Sequence, residues 1–567
     1  MVNIEWRPCK ALSVSIKNNG VTKLSSFDGN LTLNETGSMI WELSNGIYTV
    51  REIAEYIAQK YNVVVSTELI DDVCAIIEQL EKKKLLIMNW DPIKKDCICK
   101  RGKEYRFSGE PCDVLLIAAP PALITGYASF KTQGMPPLGL AYISAALKQN
   151  HFTTKILDFN LDHINQDVLI RELRESTPKI VGISCSTDTF ENAVRLATIC
   201  KQTLPDVSTV VGGPHVTFEY EDAMNRGVFD FVSRNEGEQT LVELSELLIN
   251  GRGNKNEIKG ICYLDGDKVI INSDRPLIKD VDSLPFPDRE ALELDEYSLP
   301  GTVLASRGCP GRCVFCAASA MAGGKYRFRS ASNVMEEINN LLDKGVEIIH
   351  FVDDTLTANM KRFRELLQLF AQSKRKFEWV CESRVDVVSK ELLQEMKNAG
   401  CVLVQFGVES SSQKTLNAMH KGITVEQIVN AFTWAKEVGI NTACCIIIGT
   451  PFDTNETIKE NLDFGVRLQK LGARVVFSIS TPYPGTEMYQ KREELGLEIV
   501  APSFNLYNTN TAVYNSSVLT AEEITNYYSL GVPYLLAHLE DEELTQYYAT
   551  TSENAKQVMT NSFLWSK

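Results

Sequence analysis

Strands alternating with helices, in two separate runs, are the pattern that most limits what this chain can become. In the first run the apolar segments DVLLIAA, TKILDF, KIVGISC, STVVGG and FDFVS are separated by helical stretches starting near Pro137, Asn165, Phe190, Glu219 and Gln239. A helix between two strands forces them to pair in parallel, so these units predict a Rossmann-like, doubly wound sheet. The second run, from 302 to about 485, has the strands TVLASRG, VEIIHFV, FEWVCES, CVLVQFG, TACCIIIG and ARVVFSIS, each but the last followed by an amphipathic helix. Six strands fall short of a closed eight-stranded barrel, so a partial (βα)6 barrel of TIM type is expected. Both architectures hold ligands at the carboxyl ends of their strands. In the first run those ends, PPLGL, SCST, GGPH and NEGEQT, are rich in Pro, Gly and small polar residues.

A chain of 567 residues is too long for one hydrophobic core, which makes an α/β multidomain protein the expected fold class. Hydrophobic residues make up 44% and charged residues 23%, leaving little room for disorder. A net charge of -15 disfavours nucleic acid, because affinity for phosphates needs clustered Lys and Arg. The opening MVNIEWRPCKALSV lacks a signal peptide's apolar run, and no window reaches the roughly 18 to 20 apolar residues of a membrane helix. No membrane partner is expected, and the cytoplasm is the expected location. Fifteen cysteines scattered through runs such as TACCIII and VGISC suit reduced thiols rather than a disulfide framework. Most of them, Cys74, Cys185, Cys200, Cys444 and Cys445 included, read as small buried apolar residues.

Residues 1–95 read as a small module. LSVSIK, VTKLS and GNLTLN form an antiparallel sheet with turns at Asn19-Gly20 and Asp28-Gly29. Three helical patterns follow, one closing at Gly46 and the next opening with a Thr49/Glu52 capping box. Strands with three helices suggest a winged-helix-like fold. DNA binding is disfavoured because the last helix carries Glu68, Asp71, Asp72, Glu78 and Glu81 before its only basic run. The polar stretch NWDPIKKDCICKRGKEYRFSGEP is a linker, the doubly wound domain occupies 108–255, and 256–294 is a hairpin around Asp265-Gly266 with a Pro-containing connector. The barrel domain is placed at 295–500 and a small, mostly helical tail at 501–567.

Only one cysteine group has ligand spacing. Cys309, Cys313 and Cys316 fall within eight residues, directly after a predicted strand. Three local thiolates can hold a four-iron cluster while leaving one iron open to a non-protein ligand. A structural zinc site would favour a second cysteine pair or histidines, and neither follows.

The segment SRGCPGRCVFC resembles the C-x3-C-x2-C signature of radical S-adenosylmethionine (SAM) enzymes. The resemblance implies a 4Fe-4S cluster whose open iron binds SAM and delivers the electron that cleaves it, fed by an external one-electron reductant such as flavodoxin or ferredoxin. It further implies SAM contacts at Phe315, Asp353 of FVDDTLT, Arg384 of ESRVD, Glu409 and Ser410 of FGVESSS, and Ile448-Gly449 of IIIGTP. Asp354 and PYPGTEMY belong to the same pattern, while the Gly-Gly-Glu run of many such enzymes is absent. Any Asp or Glu ending a strand can also simply cap the next helix.

The 113–250 region resembles the cobalamin-binding domain that precedes the barrel in one radical SAM subfamily, through PPLGLAYISAALK, VGISC, VVGGPH and SRNEGEQT. Around the corrin the resemblance places Pro137, Leu138, Gly139, Ser184, Gly212, Gly213, Pro214, His215, Glu236 and Gly237. Cobalamin mutases carry Asp-x-His-x-x-Gly, but the loop after DVLLIAA reads PPALITGY with no histidine. Ligation of cobalt by that loop is excluded, and His163 and His215 suit a polar loop role. The module, notably LNETGSMIWELSNGIYTVREIAEYI, resembles the PqqD-like element that binds leader peptides by adding a strand to its sheet edge. Together the resemblances imply a cobalamin-dependent radical SAM methyltransferase acting on an unactivated carbon of a ribosomally made peptide. Another cobalamin-dependent rearrangement or cyclisation is the alternative, and a non-enzymatic cobalamin-binding regulator a remote one.

Overall fold

The computed structural model describes residues 4, 8–10, 14–18, 21–26, 29–44, 48–83, 85–88, 91–95, 104–121 and 134–538. Asn19-Gly20, Asp28, Gly46, the loop PPALITGY beyond Pro121, linker residues 89–90 and 96–103 and the tail past 538 lie outside the described residues.

The N-terminal module has strands β1 (Pro8–Lys10), β2 (Val14–Asn18), β3 (Val21–Ser26) and β4 (Gly29–Leu33), then helices Glu35–Leu43, Val50–Tyr61 and Thr67–Lys82, then β5 (Leu86–Met88). β2, β3 and β4 form an antiparallel meander, and β5 returns to pair with β1. The Thr49/Glu52 capping box is present, with the Thr49 N–H donating to the Glu52 carboxylate at 2.7 Å. Leu24, Ile40, Ile53, Ile77 and Leu80 are fully buried between helices and sheet. β2, one edge of the meander, lies beside a distant helix, Ala521–Leu536.

The second sheet contains β6 (Val114–Ala118), β7 (Thr154–Asp158), β8 (Ile180–Ser184), β9 (Ser208–Gly212), β10 (Phe231–Ser233), β11 (Ile261–Asp265) and β12 (Lys268–Ile271). Its order is β12-β11-β10-β9-β8-β6-β7, with β6 to β10 parallel. The chain reverses direction across the sheet between β6 and β8, which opens a crevice at their carboxyl ends. The hairpin around Asp265-Gly266 is part of this sheet: β11 pairs antiparallel with β10 and covers what would be an open edge.

The third sheet is parallel throughout, in the order β13 (Thr302–Val303), β16 (Ile348–Phe351), β17 (Glu378–Ser383), β18 (Cys401–Glu409), β19 (Asn441–Ile448) and β20 (Ala473–Ile479). TVLASRG does not run straight: after β13 it bends into β14 (Ser306–Arg307), which pairs antiparallel with β15 (Arg327–Phe328). Trp379, fully buried among Phe351, Phe363 and Phe370, anchors the barrel core and donates its indole N–H to the Ala399 carbonyl at 2.8 Å. The tail closes the open side. The Ile479 N–H donates to the Thr509 carbonyl at 2.6 Å, and Gly531 of helix Ala521–Leu536 sits against Phe477 of β20. Tyr514, Leu519, Ile524 and Leu535 therefore belong to the barrel core rather than to a separate unit. No helix among the described residues is long and apolar enough to cross a membrane.

The two large sheets are fastened by buried charges. Arg307 pairs with Glu236 at 2.9 Å and Glu238 at 2.6 Å, and Arg327 reaches Glu236 at 2.8 Å. Burial opposes the charged form of Glu236, but Arg307, the Ile278 N–H and Arg327 outweigh it and hold the carboxyl below the usual carboxylate range. A carboxyl depressed on folding stabilises the seam above its unfolded pKa, about 4.3, and loses that contribution as pH falls through the lower folded value. Hydrogen-exchange protection factors along β10, β14 and β15, corrected for the intrinsic exchange rate at each pH, should therefore stay constant from neutral pH to about 5 and fall only in more acidic solution. Glu236→Gln should cost about 2 kcal/mol in denaturant unfolding at neutral pH, because it removes the carboxylate held by Arg327 and one of the two held by Arg307, both arginines largely shielded from water.

Candidate functional site

A cavity of about 1140 Å³ lies where the carboxyl ends of both parallel sheets face one another. It exceeds the roughly 300 to 1,000 Å³ of ordinary small-molecule pockets, so it has room for more than one ligand.

Cys309, Cys313 and Cys316 line it from the loop that follows β14, all half-buried with free thiols. The Cys316 N–H donates to the Cys313 carbonyl at 3.1 Å, and Ser319 Oγ to the Gly311 carbonyl at 2.7 Å, which closes the loop on itself. A Cβ at Gly311 would come 3.3 Å from Cys309 Sγ and 4.0 Å from Cys313 Sγ, so the absent side chain leaves the space between those sulfurs open. Burial raises the Cys313 thiol and pushes the Cys316 thiol up to about 11, so bound iron would have to drive their ionisation. Among the described residues no three His, Cys, Asp or Glu side chains converge as ligands of a single metal ion. In a cluster each of the three thiolates takes a different iron, so they need not converge on one ion.

Around the thiols the barrel presents a charged collar. Phe315, Arg384 and Glu409 are on the cavity wall. Arg384 forks onto Asp386 at 2.9 and 3.0 Å and donates to the Lys421 carbonyl at 2.9 Å. Glu409, in the left-handed region at φ 65°, ends β18 in a bulge and pairs with Lys421 at 2.7 Å. Burial works against the Lys421 charge, but Glu409 and Cys313 keep its pKa raised. A Cβ at Gly407 would sit 2.5 Å from Lys421 Nζ and 2.7 Å from Glu409 Oε1, so a side chain there would push this pair out of its present position. Lys421 was missed in the sequence because it arrives from a loop between two helices, with no strand end to mark it.

Other residues expected at SAM lie off the wall. Asp353 is fully buried behind it, accepting from Ser306 Oγ and from the Ala305 N–H at 3.1 Å, and burial pushes it up to about 6. Its neighbour Asp354 is the one on the wall. Ser410 donates to Asn461 at 3.1 Å, Ile448 is in the barrel core, and the Gly449 carbonyl accepts from Tyr514. These groups hold framework contacts because the bulge after Gly407 and the end of β19 turn them away from the lumen.

From the second sheet, Gly139, Ser184, Gly212, Gly213, Pro214, Glu236 and Gly237 line the cavity, whereas Pro137 and Leu138 begin helix Leu138–Gln149 beside it. Gly213 has φ 114°, and a Cβ there would run into the Cys185 carbonyl. The loops after β8 and β9 thus touch backbone to backbone and offer a low, open cradle suited to a large flat ligand. Glu236 is on the wall, but Arg307, Arg327 and the Ile278 N–H occupy its carboxylate. His215 is 1% exposed between the Phe190 and Phe504 rings, and burial pushes it down to about 4. His163 pairs with Glu293 at 2.8 Å. None of the six histidines lines the cavity. The residues present fit a four-iron cluster on one face and a corrin held without histidine on the other.

Replacing Cys309, Cys313 and Cys316 together with Ala should abolish iron binding and reductive SAM cleavage, as read by iron content and 5'-deoxyadenosine yield. Cobalamin bound in its cob(II) state should give an EPR spectrum without nitrogen splitting from the protein, unchanged in His215→Ala.

Three domain families match the chain: the radical SAM superfamily over residues 303–465, the B12 binding domain over 131–245, and coenzyme PQQ synthesis protein D (PqqD) over 24–86. An uncharacterised methyltransferase of Pyrococcus horikoshii is 35% identical over 396 residues, 69% of this chain and 85% of the relative. The anaerobic magnesium-protoporphyrin IX monomethyl ester cyclase of Cereibacter sphaeroides is 30% identical over 69% of this chain and 65% of its own. The fold is similar to that of the radical SAM methyltransferase TsrM from Kitasatospora setae, with a TM-score of 0.61 and 18% identity, covering 76% of this chain and 90% of TsrM. It is similar also to OxsB, a cobalamin-dependent SAM radical enzyme, with a TM-score of 0.62 and 20% identity, covering 80% and 72%. The matched domains make a 4Fe-4S cluster, SAM and cobalamin the cofactors. The chain belongs to the cobalamin-binding radical SAM enzymes.

Proposed function

We propose that this enzyme methylates an unactivated carbon in a ribosomally made peptide. One observation carries the reading: a PqqD-type module shares a chain with a single cavity on which the cysteine triad and the Gly-rich loops of the B12-binding domain face each other. The Pyrococcus relative is named as a methyltransferase. The cyclase relatives favour the second reading, ring closure or rearrangement on the same cofactors.

When bound, the cluster and SAM supply a carbon-centred radical and the cobalamin carries a methyl group. The chain's own work is to hold and to exclude. Cys309, Cys313 and Cys316 would ligate three irons, leaving the fourth open. Phe315, Arg384 and the Glu409–Lys421 pair would seat SAM beside it. Ser184, Gly212, Gly213 and Gly237 would support the corrin by backbone and small side chains. The Arg307 seam and the tail keep bulk water from a radical that solvent-exposed groups would quench.

The module, in this reading winged-helix-like, takes a leader segment on a sheet edge. The groove in this reading lies along the first strand, near Leu12–Lys17, of which Leu12 and Ser13 fall outside the described residues, and the third helix, near Ile70–Leu80; β2 also lies beside helix Ala521–Leu536, and β4 is the other edge of the meander. A cytoplasmic setting, where flavodoxin or ferredoxin can supply electrons and thiols stay reduced, goes with free thiols at the twelve cysteines whose side chains are described.

Two measurements test the proposal. Product formed from methyl-deuterated SAM should gain a deuterated methyl group, and gain of none would favour cyclisation or rearrangement. Deleting residues 1–95 should leave SAM cleavage nearly intact and cut turnover of a full-length precursor by tenfold or more, about the weight of one lost recognition site.

A further inference from the structure

Among the described residues, every cation on the cavity wall is already in an ion pair. Arg307 and Arg327 hold Glu236 and Glu238, Arg384 holds Asp386, and Lys421 holds Glu409. A substrate bearing a carboxylate or phosphate would find these wall cations already paired, and at Arg307, Arg327 and Lys421 it would have to displace a carboxylate largely shielded from water.

Carboxamides, by contrast, have capacity to spare. Gln405, in the middle of β18, is on the wall and 8% exposed, and its Oε1 has no hydrogen-bond partner. Asn505, on the wall from the tail, has an equally unpartnered, buried Oδ1. Asn508 and Asn510 follow it on the same wall. Asn508 Oδ1 accepts from the Asn510 N–H at 2.9 Å, and Asn510 Oδ1 accepts from Tyr528 at 2.6 Å, which leaves their amide N–H groups to donate. The segment is fixed rather than loose, since Thr481 Oγ1 donates to the Asn508 carbonyl at 2.9 Å and Ile479 to Thr509. A buried amide oxygen left unpaired costs about 1 to 3 kcal/mol, so two of them on one cavity mark where a ligand donor is missing.

We infer that Gln405, Asn505, Asn508 and Asn510 form the substrate-recognition wall, and that it takes the uncharged backbone amides of a peptide. A peptide bond offers one N–H and one C=O without charge, which matches unpartnered acceptors beside available donors. The inference rests on the peptide reading above and names where the segment to be modified, as distinct from its leader, is gripped. The tail is thereby a specificity element and not merely a plug for the barrel.

The test uses the reconstituted holoenzyme and a pool of acetylated, amidated pentapeptides, randomised apart from one diazirine-bearing residue. After irradiation, labelled positions are mapped by proteolysis and mass spectrometry. Label is expected within 478–510, falling about tenfold in Asn505→Ala and further in Gln405→Leu/Asn505→Ala, while any label within 1–95 stays at its wild-type level. That unchanged label, with wild-type iron content, shows each variant is folded; should the double variant not fold, Asn505→Ala alone decides. Equal labelling of 478–510 in wild type and variants would overturn the wall. Label confined to 1–95 would do the same while sparing the peptide reading, and label on neither segment would sink both. Stronger labelling by the same peptides with free carboxylates would overturn the assignment of an uncharged ligand.

Discussion

Two arginines on one short ribbon make the active cavity possible. Neither parallel sheet encloses anything alone: each ends in loops that stand open to water at the carboxyl side of its strands. Arg307 and Arg327, on β14 and β15, turn those two ends toward each other by gripping Glu236 and Glu238 at the start of the helix after β10. Tyr142 lies against the Arg307 guanidinium at 5.2 Å, so the seam has an apolar flank as well. Charges this buried contribute little net stability against an apolar alternative, but they fix one docking geometry, since any other would strand them. For chemistry that spans two cofactors, a fixed geometry matters more than a strong interface.

The same logic explains why the tail belongs to the barrel. A six-stranded open barrel leaves the outer edge of β20 unpaired and its lumen accessible. The segment around Thr509 pairs with that edge, and helix Ala521–Leu536 covers the outer face through Gly531 and Ile524. Closure here also carries polar side chains into the cavity. The helix meets β2 of the N-terminal module, so one element touches both that module and the barrel.

The collar around the thiols balances charge at close quarters. Lys421 is held charged by Glu409 in spite of burial, and the two charged ends meet over residue 407, which has no side chain to displace them. Asp353, one residue from the wall, instead serves the strand framework through Ser306 and Ala305. Adjacent acidic residues thus divide between scaffold and site according to which side of the strand end they fall on.

The strand-helix alternation, the three-cysteine spacing and the absence of a histidine after DVLLIAA were legible in the sequence, because each depends on local period or spacing along the chain. From these followed both parallel sheets, the cluster loop and the identity of the cofactors. What could not be read were contacts between residues far apart in sequence. Glu236 looked like a corrin neighbour until Arg307, 71 positions later, was seen to occupy it. His215 sat in a promising loop but is shut between Phe190 and Phe504, the latter from the tail. Lys421, Gln405 and the asparagines at 505, 508 and 510 carry no motif, since what matters about them is the cavity they face. Spacing along the chain fixes which thiols share a cluster; only packing of distant segments decides which polar groups are spent on the scaffold and which are left for a ligand.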